Sequence, residues 1–208
     1  HDLVGALYDP NDGDIDPAQL TQALAKGARD LGAKILRFTP AIGVTQKKDK
    51  TWTVHTEKGD IDCEYVVNAA GYYAQQVGDW FKPYGGRTVP MMVMSHQYLL
   101  SEEIPEIEQY TKTSGKKLPL LRDVDVSYYL RQEKNGFNLG PYEPNCKAHW
   151  ATEDDPMPDD FSFQLWNDDL DRIEDIVSDA MERVPLLGTS GVSRVINGPI
   201  PYAPDGLP

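Results

Sequence analysis

Two cysteines, Cys63 and Cys146, are all that the sequence holds, and neither belongs to a CxxC pair. That count and spacing exclude a disulfide framework, both thiols read as bystanders, and a reducing compartment is the simpler setting. No apolar run approaches the roughly 18 residues that a membrane-spanning helix needs. Positive charge is also scarce. Twenty Lys and Arg stand against 33 Asp and Glu, a net charge of −13 at pH 7, which argues against a nucleic-acid partner. Absent too are GxGxxG, GxxxxGK[ST], HExxH and GxSxG. The first of these would seat a dinucleotide pyrophosphate on a helix N-terminus, so its absence bears directly on any nucleotide cofactor. Neither an internal repeat nor a low-complexity segment breaks the 208 residues, a length that suits one large domain or two small ones.

Much of the negative charge is local, in Glu153-Asp154-Asp155, Asp159-Asp160 and Asp168-Asp169. These acids read as a solvated loop and a helix start; no His or Cys lies at ligand spacing from them, so no metal site is assigned. The chain starts on His1 rather than Met and stops at Gly206-Leu207-Pro208 with neither a helix end nor a polar tail. We expect a piece of a longer protein.

What is present reads as mixed α/β grammar. Asp16-Pro17 is an N-cap followed by proline at the first helical position, Leu20, Ala23, Leu24, Ala28 and Leu31 follow at helical spacing, and Gly32 closes the helix. A strand is expected over Lys34 to Phe38. Alternation predicts a hairpin over 51–63, with His55 facing solvent. The run Tyr65-Val66-Val67-Asn68-Ala69-Ala70-Gly71 reads as a buried strand ending in small residues, where a bulky cofactor could pass close to the backbone. Tyr72 to Phe81 is expected to be helical, with a boundary at residues 82–86. Strands are expected over Val89 to Leu100, Leu118 to Arg122, Ser127 to Gln132, Phe137 to Tyr142 and Val192 to Ile196, with a hairpin turn at Lys134-Asn135-Gly136. Residues 101–117 read as a polar loop with some helix, and Asp168 to Val184 as one amphipathic helix ended by Pro185.

The candidate chemistry is sparse. Ser95-His96-Gln97-Tyr98 sets a histidine in an apolar strand, and Ser127-Tyr128-Tyr129-Leu130-Arg131 sets two tyrosines in another. An imidazole titrates near neutrality and can take a proton from an ammonium substrate. Successive strand residues face opposite ways, so only one of the two tyrosines can share a face with it.

Several phrases in order resemble the FAD-dependent oxidoreductases of the D-amino-acid oxidase type, in the dimethylglycine and sarcosine dehydrogenase branch. They are Gly5-Ala6-Leu7-Tyr8 with Asp12-Gly13-Asp14-Ile15-Asp16-Pro17, Val66-Val67-Asn68-Ala69-Ala70-Gly71, His96-Gln97-Tyr98, Leu118-Pro119-Leu120-Leu121-Arg122-Asp123, and Tyr128-Tyr129-Leu130-Arg131-Gln132-Glu133. Gly140-Pro141-Tyr142-Glu143, Asp169-Leu170-Asp171-Arg172-Ile173, Asn197-Gly198-Pro199-Ile200 and Pro204-Asp205-Gly206-Leu207-Pro208 complete the series.

The resemblance implies a partial FAD-binding α/β domain over 1–86, with 191–208 returning to it, and an antiparallel-sheet substrate domain over 87–190. It implies a cofactor site of Ala41, Ala69, Ala70, Gly71, Tyr73, Gly198, Gly206 and Leu207, and a catalytic pair of His96 and Tyr128. The implied reaction is oxidative demethylation of dimethylglycine or sarcosine. His96 takes the ammonium proton, hydride passes to the flavin, and the product carbon leaves as formaldehyde or passes to tetrahydrofolate. An electron-transfer partner or oxygen reoxidises the flavin, in mitochondria or in a bacterial cytoplasm. The alternative on the same scaffold is a noncatalytic regulatory or binding protein. The glycine fingerprint, the histidine that attaches FAD covalently in some relatives and the folate module are all missing from this sequence. We therefore expect the chain alone to bind FAD poorly or not at all.

Overall fold

The computed structural model describes residues 3–206 apart from 153 and 159. Helix α1 (Pro17–Asp30) starts as the capping signal requires: the Asp16 side chain accepts from the Gln19 N–H at 2.8 Å, with proline at the first turn. None of its residues is buried. Strands β1 (Ala41–Gln46), β2 (Trp52–Thr56) and β3 (Gly59–Cys63) form a three-stranded antiparallel sheet in sequential order. The expected hairpin is β2–β3. His55 is half exposed, bonded to Thr45 Oγ1 at 2.7 Å and to Asp60 Oδ1 at 2.9 Å. Trp52 packs edge-on against Phe81 and Tyr84, with ring centroids 5.0 and 5.4 Å away, and so ties this sheet to the segment after α2 (Ala74–Asp79).

Two expected strands do not form. Lys34 to Phe38 is extended coil and turn, while the strand itself lies just downstream as β1. Tyr65 to Ala70 is also irregular, and Tyr65 and Val67 are 83% and 85% exposed. A strand needs a neighbour to pair its N–H and C=O groups. Among the described residues no strand lies alongside this run, so its β-branched residues stay unpaired.

The second sheet has six strands: β4 (Met92–Ser101), β5 (Leu121–Asp123), β6 (Tyr128–Glu133), β7 (Gly136–Pro141), β8 (Ala148–His149) and β9 (Val192–Tyr202). All its pairings are antiparallel. Strand β4 is the spine. Strand β9 runs along one of its edges from Met92↔Tyr202 to Ser101↔Val192. On the other edge β7 pairs only at Leu99↔Leu139 and Leu100↔Asn138, and β8 only at Val93↔His149 and Met94↔Ala148. By its hydrogen bonds β9 is a strand of the second sheet. It also runs further than expected, through Pro199 and Pro201, which an outer strand tolerates.

One face of this sheet is covered by α3 (Pro105–Ser114) and α4 (Glu174–Arg183). Leu99, Tyr128, Leu130, Phe137 and Leu139 from the strands pack with Ile104, Ile107, Ile173, Ala180 and Leu187 as a single core. The helix expected over 168–184 is divided. A 3-10 turn at Leu170–Arg172 precedes α4, and the break falls at the fully buried Ile173.

Candidate active site

Alternation along β4 sorts its side chains cleanly. Val93, Ser95, Gln97 and Leu99 are buried toward the helices, and Met94, His96, Tyr98 and Leu100 occupy the opposite face. Register carries that opposite face across the sheet. Tyr129 and Arg131 join it from β6, Asn138 and Gly140 from β7, and Gly198, directly opposite His96, from β9.

His96 stacks on Tyr142 at 5.9 Å with 28° between the ring planes, and Tyr142 meets Tyr129 at 5.8 Å. The three rings form a continuous aromatic row across β4, β7 and β6. Gly140 makes it possible. A Cβ there would lie 2.0 Å from Tyr129 Cζ and 2.3 Å from its Oη, so the phenol lies across the bare backbone of β7. Tyr142 is anchored by its N–H to the Ser127 carbonyl at 2.7 Å.

Tyr128 is not part of this row. It is 1% exposed and packs in the helix-covered core, on the face away from His96. The expected His96–Tyr128 pair is corrected by strand parity: Leu99 shares Tyr128's core, and Leu99 and His96 face opposite ways. Its neighbour Tyr129 takes the position beside the imidazole's partner. Tyr142 could have been found from its spacing of two from Gly140 in the phrase Gly140-Pro141-Tyr142, which sets both on one face of an extended chain.

Burial pushes the His96 imidazole below its ordinary value, so it is neutral at pH 7. Burial raises the Tyr129 phenol, helped by the neighbouring Tyr142, so that it keeps its proton. Asn138 is buried on the same face with Oδ1 unpartnered. Arg131 is held by Asp14 and Glu133, each at 3.3 Å, which fixes the 9–16 turn to this end of the sheet.

The expected cofactor residues are spread over both halves. Ala41 is exposed at the start of β1. Ala69 and Ala70 lie in the coil after β3, where Asn68 Oδ1 accepts from the Ala70 N–H at 3.3 Å. Gly71 has φ +58° with open space where a Cβ would stand, and it opens a 3-10 turn to Tyr73 that lies against β9. The Tyr73 hydroxyl donates to the Phe161 carbonyl. Gly206 has φ +69° and is likewise open. Leu207 lies outside the described residues. A cavity of about 480 Å³ opens between Gln75 on α2, residues 88–92 leading into β4, and Tyr202 to Pro204 at the end of β9. It adjoins the strands that carry His96 and Gly198 without reaching either residue.

Comparison with known proteins is consistent along the whole chain. The pattern of the DAO family, described as FAD dependent oxidoreductase, matches residues 1–208. The mitochondrial dimethylglycine dehydrogenase of Mus musculus is 41% identical over 210 residues, covering 99% of this chain and 23% of that protein. The mitochondrial sarcosine dehydrogenase of Homo sapiens is 32% identical over 217 residues, covering 100% of this chain and 21% of that protein. Among solved structures, the L-proline dehydrogenase from P. horikoshii aligns with a TM-score of 0.71 at 22% identity, over 96% of this chain and 47% of that one, a likeness of fold.

Proposed function

The chain belongs to the DAO family of FAD-dependent oxidoreductases, and from that premise we propose that it carries the substrate-facing sheet of an enzyme that oxidatively demethylates an N-methylated glycine, dimethylglycine or sarcosine. The chain spans less than a quarter of the length of those curated relatives, 23% and 21%. The observation that carries the reading is the row His96–Tyr142–Tyr129 on one sheet face, with Gly198 beside the imidazole.

The residues present fit the ring end of FAD. Gly198 bears no side chain next to His96, and the Leu165 side chain lies over it, its Cδ2 3.2 Å from where a Cβ would stand, so a ring there would share the space with Leu165. Gly71 and Gly206 are open left-handed positions that backbone alone can occupy beside a ligand. In this reading Gly198 and Gly206 border the flavin ring, Ala69 to Gly71 and Tyr73 border the nucleotide, and Ala41 lies toward the adenine. Residues 1–86 then serve the cofactor and 87–190 the substrate. Bound FAD would supply the acceptor for the electron pair and hydrogen leaving the N-methyl carbon.

This chain's own residues handle the proton and the cation. The substrate nitrogen must lose its ammonium proton before its lone pair can assist departure of hydrogen from carbon. The neutral His96 ring takes that proton on a ring nitrogen. The faces of Tyr142 and Tyr129 offer a methylated ammonium a cation–π seat beside the imidazole. Tyr129, kept protonated, donates rather than repels at the substrate carboxylate. The oxidised carbon is then released by water as formaldehyde or captured by tetrahydrofolate on another module, and oxygen or an electron-transfer partner completes the cycle.

The test is turnover of dimethylglycine and sarcosine by an FAD-loaded full-length protein that carries this chain. His96→Ala is expected to lower kcat/KM by about 10²–10⁴. In the wild type, kcat/KM should fall as acid protonates His96, with the midpoint below 6.5 because burial depresses that pKa. The variant should lose this limb. Unchanged turnover in His96→Ala overturns the reading.

A further inference from the structure

We propose that Arg172, on the helix side of the sheet, is a positioning residue that sets the His96–Tyr142 stack on the other side. Its Nη1 donates to Ser95 Oγ at 2.7 Å, and Ser95 immediately precedes His96. Its Nη2 lies 3.3 Å from Glu143 Oε1 and its Nε 3.1 Å from Oε2, and Glu143 immediately follows Tyr142. One guanidinium therefore holds the neighbours of both stacked rings.

The need for such a clamp follows from the ladder. Backbone pairing between β4 and β7 consists of Leu99↔Leu139 and Leu100↔Asn138, and nearer His96 that edge of β4 turns to β8 and to the Lys147 carbonyl. At the level of His96 and Tyr142 the distance between the chains is thus set by side chains. A planar fork that bonds β4 and the segment just after β7 at once suits this task, where a lysine point charge would not. The clamp is itself anchored. Gln97, fully buried, donates to the Asp169 carbonyl at 2.8 Å and accepts from the Asp169 N–H at 2.7 Å, and Asp169 Oδ2 lies 3.3 Å from Arg172 Nε. Ser95 and Gln97 flank His96, so the strand is gripped on both sides of the imidazole.

The proposal deepens the reading of His96 as proton acceptor, and rests on it for its kinetic arm alone. Its structural arm is read by NMR on the full chain, through the His96 Hε1 resonance, which the Tyr142 ring shifts while the two are stacked. Tyr142→Ala supplies the unstacked position. Removing Arg172 alone would strand a buried carboxylate, so the variant is Arg172→Met with Glu143→Gln. It is expected to carry the Hε1 signal most of the way to the unstacked position, while the methyl signals of Leu99, Leu130 and Leu139 stay in place. In an FAD-loaded full-length protein that carries this chain, kcat should fall roughly 10- to 100-fold with KM little changed. Ser95→Ala, which removes one arm, should give a smaller shift of the same sign. An unmoved Hε1 signal in the folded double variant, or in Ser95→Ala should the double variant fail to fold, overturns the clamp. Intact turnover in His96→Ala would refute the catalytic reading and leave the NMR result to decide the clamp.

Discussion

The two sheets of this molecule are held by different means. The six-stranded sheet has a helical layer over one face, and ten buried side chains drawn from β4, β6, β7, α3 and α4 with the residues that precede them, and the turn after α4, meet in one core. The three-stranded sheet has the Trp52–Phe81–Tyr84 contact, and the segments around it expose their apolar side chains: Leu7 and Leu31 are 100% and 91% exposed. Free energy of folding is therefore concentrated in the second half. The sharpest way to break this comparison is to truncate one leucine in each half. Leu139→Ala, at 0% exposure, should cost about 2–5 kcal/mol, and Leu31→Ala within about 0.5 kcal/mol, by urea denaturation. Equal costs would show that the first half is as firmly packed as the second.

A smaller effect separates the two faces of the second sheet. Gly140→Ala puts a methyl where the Tyr129 ring now lies, since the nearest ring atom is 2.0 Å from the added carbon. The ring must swing off β7, at a cost of about 1–3 kcal/mol. Tyr128, on the other face, should stay as buried as before. Tyrosine fluorescence and iodide quenching would register one newly exposed phenol, and no change in quenching would mean that the ring adapts in place.

The same contrast explains what was legible in the sequence. Strands β2, β3, β4, β6 and β7, and the capping of α1, followed from alternation and cap chemistry, because each is decided by near neighbours. That only one of Tyr128 and Tyr129 can share a face with His96 also followed from parity. The choice between Tyr128 and Tyr129 did not. It depends on which face α3 and α4 cover, a long-range fact, and the resemblance pointed to Tyr128, which lies on the face away from His96. Tyr65 to Ala70 failed for the opposite reason: its β-branched residues are locally apt for a strand, but pairing requires a second strand that no local pattern supplies. Ile173 reads as one more apolar residue of a long helix, and nothing in its residue type marks the non-helical φ of −115° and ψ of 1° at which the helix breaks.

The smallest effect probes how far the first half is coupled to the second. Asp16 caps α1 by accepting the Gln19 N–H at 2.8 Å, and alanine there should cost the helix about 1 kcal/mol. Because α1 buries none of its residues, that loss should stay local. Hydrogen exchange of the α1 amides is expected to quicken about fivefold in Asp16→Ala, the factor that 1 kcal/mol sets through the opening equilibrium. The Asp14–Arg131 pair is the short path by which the loss could travel, since Asp14 lies two residues before the cap and reaches β6. If exchange in β6 and β7 quickens with α1, the turn at 9–16 transmits helix stability to the His96 face and the two halves open together. If it quickens in α1 alone, the first half opens independently while the aromatic row stays closed.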